Sequence, residues 1–232
     1  MQRKLILIGG GWLESGSTKA IDSYAVKLTN KKSPLALFIP TASGDEEEYI
    51  TSFHNLYGAK LGCHTEVLRS SDIADREYSL RKTILDADLL YLGGGNYIKM
   101  LAFWQKHRVD SLIQEAWKKG KVIVGISAGA ICWFEKGLRS NYEHEGEYIL
   151  SEGWGIIPTT ICPHFNQTDR RQAFLSLSKM GTEGLALEDD CGLAIIDDQF
   201  QLLTRSDTKG AWYIKHGAIY SMPSKGCVGG WI

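Results

Sequence analysis

Four short apolar runs, KLILIGG, LALFIPT, DLLYLGGG and VIVGIS, each end at glycines or small polar residues, and the segments between them carry helical periodicity. That alternation constrains the fold more than any other feature. It predicts an α/β chain of three layers: a mostly parallel central sheet with helices on both faces. The segment GDEEEYITSFHNLYGAKLG gathers its acids at the front, where a helix dipole favours them, and should be the helix returning from the second strand. The stretch NYIKMLAFWQKHRVDSLIQEAWKKG is expected to be helical too, closing at Gly120 just before VIVGIS and making that strand central. After residue 180 the runs LALEDDCGLAIIDDQFQLLTRSD and GAWYIKHGAIYSMPS read as C-terminal β hairpins added to the sheet edge. No repeat or linker interrupts residues 1–232, so a single domain is expected.

Composition narrows the partners. The formal charge is -1 and no long basic run occurs, which argues against nucleic acid or an anionic membrane and leaves a small molecule or peptide. The opening MQRKLILIGGG has too few apolar residues for a signal-peptide core or a membrane span. Cys63, Cys132, Cys162, Cys191 and Cys227 are odd in number, scattered and never C-x-x-C, so neither disulfides nor zinc are expected. A cytoplasmic protein without metal or cofactor is the expectation, with a homodimer as the further partner to consider.

VIVGISAGA places Ser127 in the pattern G-x-S-x-G, at the carboxyl end of a strand, where open parallel sheets collect their ligands. Gly125 and Gly129 would permit a sharp strand-to-helix turn that pushes the hydroxyl into the cleft. The backbone N–H of Ala128, with one from Gly94 or Gly95 in LGGGNY, could form an oxyanion hole. The bland alternatives are small-residue packing for GISAGA and a phosphate cradle for LGGGNY, though the latter lacks the lysine of a P-loop. Asn96 in the same loop is a candidate substrate contact.

A serine hydroxyl needs a base. His54 and His107 fall in amphipathic helices, His64 opens a strand, His144 lies in a polar loop and His216 at a hairpin turn. His164 alone follows an apolar run, TTICP, and should emerge beside Ser127. For the carboxylate that orients the imidazole, LALEDD offers Glu188, Asp189 and Asp190, and side-chain alternation does not choose among them. Rival readings are an α/β-hydrolase esterase using Asp189 or Asp198 with His216, and a non-catalytic binding protein. Cys132 is expected inside the helix after Ser127, and Cys162 in the core.

LGGGN, GISAGA, CPHF followed by arginines, and ALEDD, in that order, resemble the peptidase S51 family, which includes aspartyl dipeptidases and cyanophycinases. The resemblance implies a fold like the class I glutamine amidotransferases and a Ser-His-Asp/Glu triad acting on small peptides without a cofactor. It makes Ser127 the nucleophile, His164 the base, Gly94 and Ala128 the oxyanion donors, and Asp189, with Glu188 beside it, the acid. A cation for an N-terminal aspartate would be Arg170 or Arg171, although HFNQTDRR spaces them closer to the histidine than peptidase E does.

Overall fold

The computed structural model describes residues 1–75, 77–204 and 210–230. In β1 (Lys4–Ile8) alternate side chains go to opposite faces. Leu5 and Leu7 enter one apolar cluster, Ile6 and Ile8 another, and all four are buried. A strand buried on both faces belongs inside a covered sheet, which is why the run reads as continuously apolar. The chain continues through α1 (Lys19–Leu28), β2 (Leu35–Ile39), α2 (Glu47–Phe53), β3 (His64–Val67), α3 (Ser70–Asp75), α4 (Glu77–Asp86) and β4 (Leu89–Leu92). It then runs through α5 (Tyr97–His107), α6 (Val109–Lys118), β5 (Val122–Ile126) and α7 (Ala128–Ile131).

Strands β1, β5, β4, β2 and β3 lie side by side in that order, all parallel, with the serine strand between β1 and β4. On one face the sheet packs Ile21, Ala25, Ile50 and Phe53 from α1 and α2. On the other it packs residues of α3 to α6 together with a second sheet.

That second sheet was not expected. After α7 the chain makes β6 (Phe134–Ser140), β7 (Tyr148–Glu152), β8 (Ile157–Cys162), α8 (Thr168–Lys179) and β9 (Gly184–Leu187). It ends with β10 (Cys191–Ile196), β11 (Gln199–Thr204), β12 (Ala211–Lys215), β13 (Ala218–Ser221) and β14 (Lys225–Cys227). The second sheet has the order β13-β12-β9-β8-β6-β7, while β10, β11 and β14 extend the first beyond β1. The hairpins therefore join two sheets, where one edge was expected. The residues between β9 and β10 are the crossover from one sheet to the other. The connection 205–209, expected as a polar turn, lies outside the described residues.

Two helical expectations also need correction. The stretch after the triple glycine breaks at Arg108, whose φ of 58° ends α5 and starts α6. The helix after Ser127 is a single turn, with Cys132 as its cap, because Phe134 already pairs with Ile157 in the second sheet. The helix expected after β2 does form, and beyond Phe53 it widens over His54–Lys60 to π-type bonding, with Leu61 N–H donating to Leu56 O. Among the described residues no helix is long and apolar enough to cross a membrane.

Candidate active site

Ser127 stands on the turn between β5 and α7 with φ 51° and ψ −109°, a conformation that costs a non-glycine residue about 1–3 kcal/mol. Its neighbours make the turn feasible. A Cβ at Gly125 would sit 2.2 Å from Gly129 O, and one at Gly129 would sit 2.3 Å from Leu92 O. The glycines are thus required by close backbone approach, and Ser127 N–H still donates to Ile8 O, so the bend begins within the sheet.

His164, two residues past β8, reaches the same point from the second sheet. Its Nε2 lies 2.8 Å from Ser127 Oγ, and its Nδ1 lies 2.6 Å from Asp189 Oδ1. Because an ionised carboxylate only accepts, Nδ1 carries the proton and Nε2 is left to accept from the serine hydroxyl. Asp189 is placed by the crossover, where it bridges to Gly10 at the end of β1. The side-chain amide of Asn166 holds it twice, Nδ2 donating to Asp189 Oδ2 and Oδ1 accepting from Asp189 N–H, both at 2.9 Å. Glu188 faces elsewhere: its carboxylate accepts from Trp212 Nε1 and from Gly210 N–H. Asp190 folds back through its N–H to Gly10 O.

The triple glycine after β1 has a purpose the sequence reading missed. A Cβ at Gly10 would fall 1.9 Å from Asp189 Oδ1 and 2.3 Å from His164 Nδ1. Only a residue without a side chain leaves room for that pair. The signal was available, since β1 and β4 both end in the same glycine run.

Of the loop glycines, Gly94 faces the serine, its Cβ position lying 3.3 Å from Ser127 Cβ, and its N–H points at the Tyr49 hydroxyl at 3.5 Å. Gly95 is needed for packing, because a Cβ there would meet Ala42 O at 2.2 Å. Ala128 opens α7, so its N–H has no carbonyl one turn behind it. Asn96 is not at the cavity: its Oδ1 caps α5 by accepting from Lys99 N–H.

These groups open into a cavity of about 610 Å³ that Ser127, His164, Asp189, Gly94, Gly95 and Ala128 help to line. Arg170 lines it as well and is 7% exposed, whereas Arg171 is exposed and lies over the Phe165 ring instead. Arg139, Tyr142 and Trp12 are lining residues that the sequence gave no reason to choose. Trp12 is 76% exposed at the cavity.

The rival arrangements do not assemble. His216 is exposed between β12 and β13, 3.6 Å from Glu183, and Asp198 pairs with Arg3. Burial pushes the Cys162 thiol up to about 12 and the Cys132 thiol well above its ordinary value, so neither is a thiolate near neutrality. Among the described residues no group of three or more His, Cys, Asp or Glu side chains is arranged to hold a metal.

Residues 5–203 match peptidase family S51. An uncharacterized peptidase of Bacillus subtilis (strain 168), YgaJ, is 34% identical over 220 residues, 91% of this chain and 90% of that protein. The crystal structure of a peptidase from an acI-B1 actinobacterium superposes with a TM-score of 0.74 at 20% identity, covering 97% of this chain and 96% of the other.

Proposed function

Because the chain belongs to peptidase family S51, we propose that it is a serine peptidase of short peptides working through Ser127, His164 and Asp189. The observation that carries this reading is the unbroken line of hydrogen bonds from Ser127 Oγ through the imidazole to Asp189, opening into one cavity. His164 Nε2 takes the hydroxyl proton as Oγ attacks the peptide carbonyl, and Asp189 stabilises the imidazolium that forms. The N–H groups of Ala128 and Gly94 meet the developing oxyanion, Gly94 exchanging its long contact to Tyr49 for a charged acceptor. The imidazolium then protonates the leaving amine, and water, activated by the same nitrogen, releases the acyl group from Ser127. No step calls for a cofactor.

A cavity of about 610 Å³ suits a peptide of a few residues rather than an extended chain. Dipeptides with an N-terminal aspartate are the finer candidates. Of the two arginines next to one another in α8, Arg170 lines the cavity and is the one in position to read them. Five free cysteines support a reducing, cytoplasmic setting.

Replacing Ser127 by alanine, or His164 by alanine, should cut turnover of the true substrate by about 10⁴-fold or more while the thermal transition stays put. Mass spectrometry of the protein after a small fluorophosphonate should find the adduct on Ser127. A Ser127→Ala protein with full peptidase activity ends the reading.

A further inference from the structure

Tyr49 stands in the first turn of α2 and lines the cavity that holds Ser127. Its ring is fixed edge-on against Phe38 of β2 and Tyr91 of β4, at 4.9 and 6.5 Å between centroids. The glycine loop leaves room for it: a Cβ at Gly93 would sit 3.3 Å from Tyr49 Cε1 and 3.0 Å from Phe38 Cε2. The hydroxyl is thereby carried to the loop, where it accepts from Gly94 N–H at 3.5 Å, longer than an ordinary hydrogen bond. Gly94 is also the residue whose Cβ position lies 3.3 Å from Ser127 Cβ and 3.9 Å from Ser127 Oγ. Among the described residues no acceptor takes the proton of the Tyr49 hydroxyl. Burial pushes that hydroxyl up to about 12, so the proton is kept near neutrality.

A hydroxyl with a proton to give and an amide held only weakly thus stand together beside the serine. Two donor atoms 3.5 Å apart can both lie at ordinary hydrogen-bond distance from a single oxygen placed between them. A neutral carbonyl oxygen gains modestly from such a pair, whereas an oxyanion gains about twice as much per hydrogen bond, which is the difference catalysis requires. We infer that the Tyr49 hydroxyl is a side-chain donor to the oxyanion, acting with the N–H groups of Gly94 and Ala128. The inference rests on the peptidase reading and adds to it a catalytic residue that no motif marks, since GDEEEYITSF reads only as the start of a helix. As Ser127 Oγ bonds to the carbonyl carbon, its proton passes to His164 Nε2 and the carbonyl π pair moves onto the oxygen. Tyr49 keeps its own proton and turns it toward that oxygen. When the tetrahedral intermediate collapses, the pair returns to the carbonyl and the hydroxyl is released to Gly94 N–H again.

Full-length wild type and Tyr49→Phe, which keeps the ring and its edge contacts, are compared by the rate at which a small fluorophosphonate labels Ser127, followed by mass spectrometry across pH. The phosphoryl oxygen of that probe gathers charge in the same place, so the rate reads the oxyanion donors whatever the natural substrate. Labelling should slow about a hundredfold in Tyr49→Phe, the loss expected for one oxyanion donor. The acid limb of its pH profile, which reports the imidazole, should stay in place, and the melting temperature should hardly move. In crystals of the labelled wild-type protein the phosphonyl oxygen should lie within about 3 Å of Tyr49 Oη. A loss of rate accompanied by a displaced acid limb would place the effect in the Ser127–His164 pair and overturn the assignment, as would a phosphonyl oxygen turned away from Tyr49. A wild-type protein that takes no adduct on Ser127 overturns the peptidase reading along with it, whereas an adduct formed equally fast by Tyr49→Phe overturns the role of Tyr49 alone.

Discussion

One methyl group separates a working hydrogen-bond line from a broken one. A Cβ on Gly10 would overlap both Asp189 Oδ1 and His164 Nδ1. Gly10→Ala is therefore expected to lower kcat about a hundredfold or more by pushing the imidazole off line, with the melting temperature nearly unchanged; steady-state kinetics beside a thermal melt checks it. Asn166 gives a second prediction. It occupies the carboxylate oxygen that His164 does not use, so Asn166→Asp would set a second negative charge against the pair. The added charge repels Asp189 Oδ2 where the amide had donated to it, so kcat should fall about a hundredfold or more, as steady-state kinetics would show. Asn166→Ala should slow turnover less, and an equal loss in both variants would show that charge is not the cause. Ser127 and His164 were legible because each ends an apolar run. The choice among Glu188, Asp189 and Asp190 was not, because strand alternation stops applying in a crossover, where Glu188 turns to Trp212 and Asp190 has φ 61°. Arg139 was invisible for a related reason: FEKGLRS has the charges of an edge segment, and nothing local says that a second sheet will fold it against the cleft.

Among the elements, α1 is anchored by a buried carboxylate rather than by a cap. Asp22 is fully buried, accepts from Thr18 Oγ1 and Tyr57 Oη at 2.7 Å each, and is pushed up from 3.8 to about 6 by burial. A folded-state pKa above the unfolded value means that the native protein holds this proton more tightly. The contribution of Asp22 is complete below about pH 4 and is lost as the pH rises through about 6, at up to about 1.4 kcal/mol per pH unit. Asp22→Asn should remove that loss. Urea melts of the two proteins at pH 4, 5, 6 and 7 should therefore diverge with rising pH, the variant gaining on the wild type, and parallel curves would show that Asp22 does not titrate in this window. Other carboxylates act in the opposite sense: Asp88 is held low by Lys31 and the Leu35 N–H against the effect of its burial, and so stabilises above its own pKa. They cancel in the comparison. The sequence predicted the existence of the helices better than their ends. Apolar spacing carries straight through Arg108, whereas the left-handed residue that breaks the helix there has no glycine or asparagine to announce it. The single turn of α7 was equally hidden, since AGAICW suits a helix until Phe134 finds Ile157 across the second sheet.

At the scale of the molecule, the three hydrogen-bonded side chains come from different sheets. Ser127 ends a strand of the first, His164 follows a strand of the second, and Asp189 lies on the chain passing between them. What keeps them within hydrogen-bond distance is the apolar layer between the sheets, which takes in Leu7, Leu92, Ile131, Ile161 and Leu187, with Trp104, Trp117 and Trp133 fully or nearly buried in it. Trp133 stacks edge-on against both Trp117 and Trp154, at 5.5 and 5.0 Å between ring centroids, so its indole reports on that layer. Alternation of strands and helices could foretell the first sheet, because each parallel strand needs a crossover helix to return the chain. It could not foretell the second, whose strands are short, mixed in direction and partly polar. If the layer is one cooperative unit, the serine cannot stay aligned once the sheets part. Heating should then shift the tryptophan emission to the red and abolish fluorophosphonate labelling of Ser127 in a single transition, with midpoints that coincide within error. Leu187→Ala, which opens a cavity one residue before the crossover, should lower both midpoints together and cost about 2–5 kcal/mol. Labelling that disappears while the emission is still native would mean that the second sheet lifts away by itself, and that the alignment of Ser127 with His164 is governed by a local opening instead of by global unfolding.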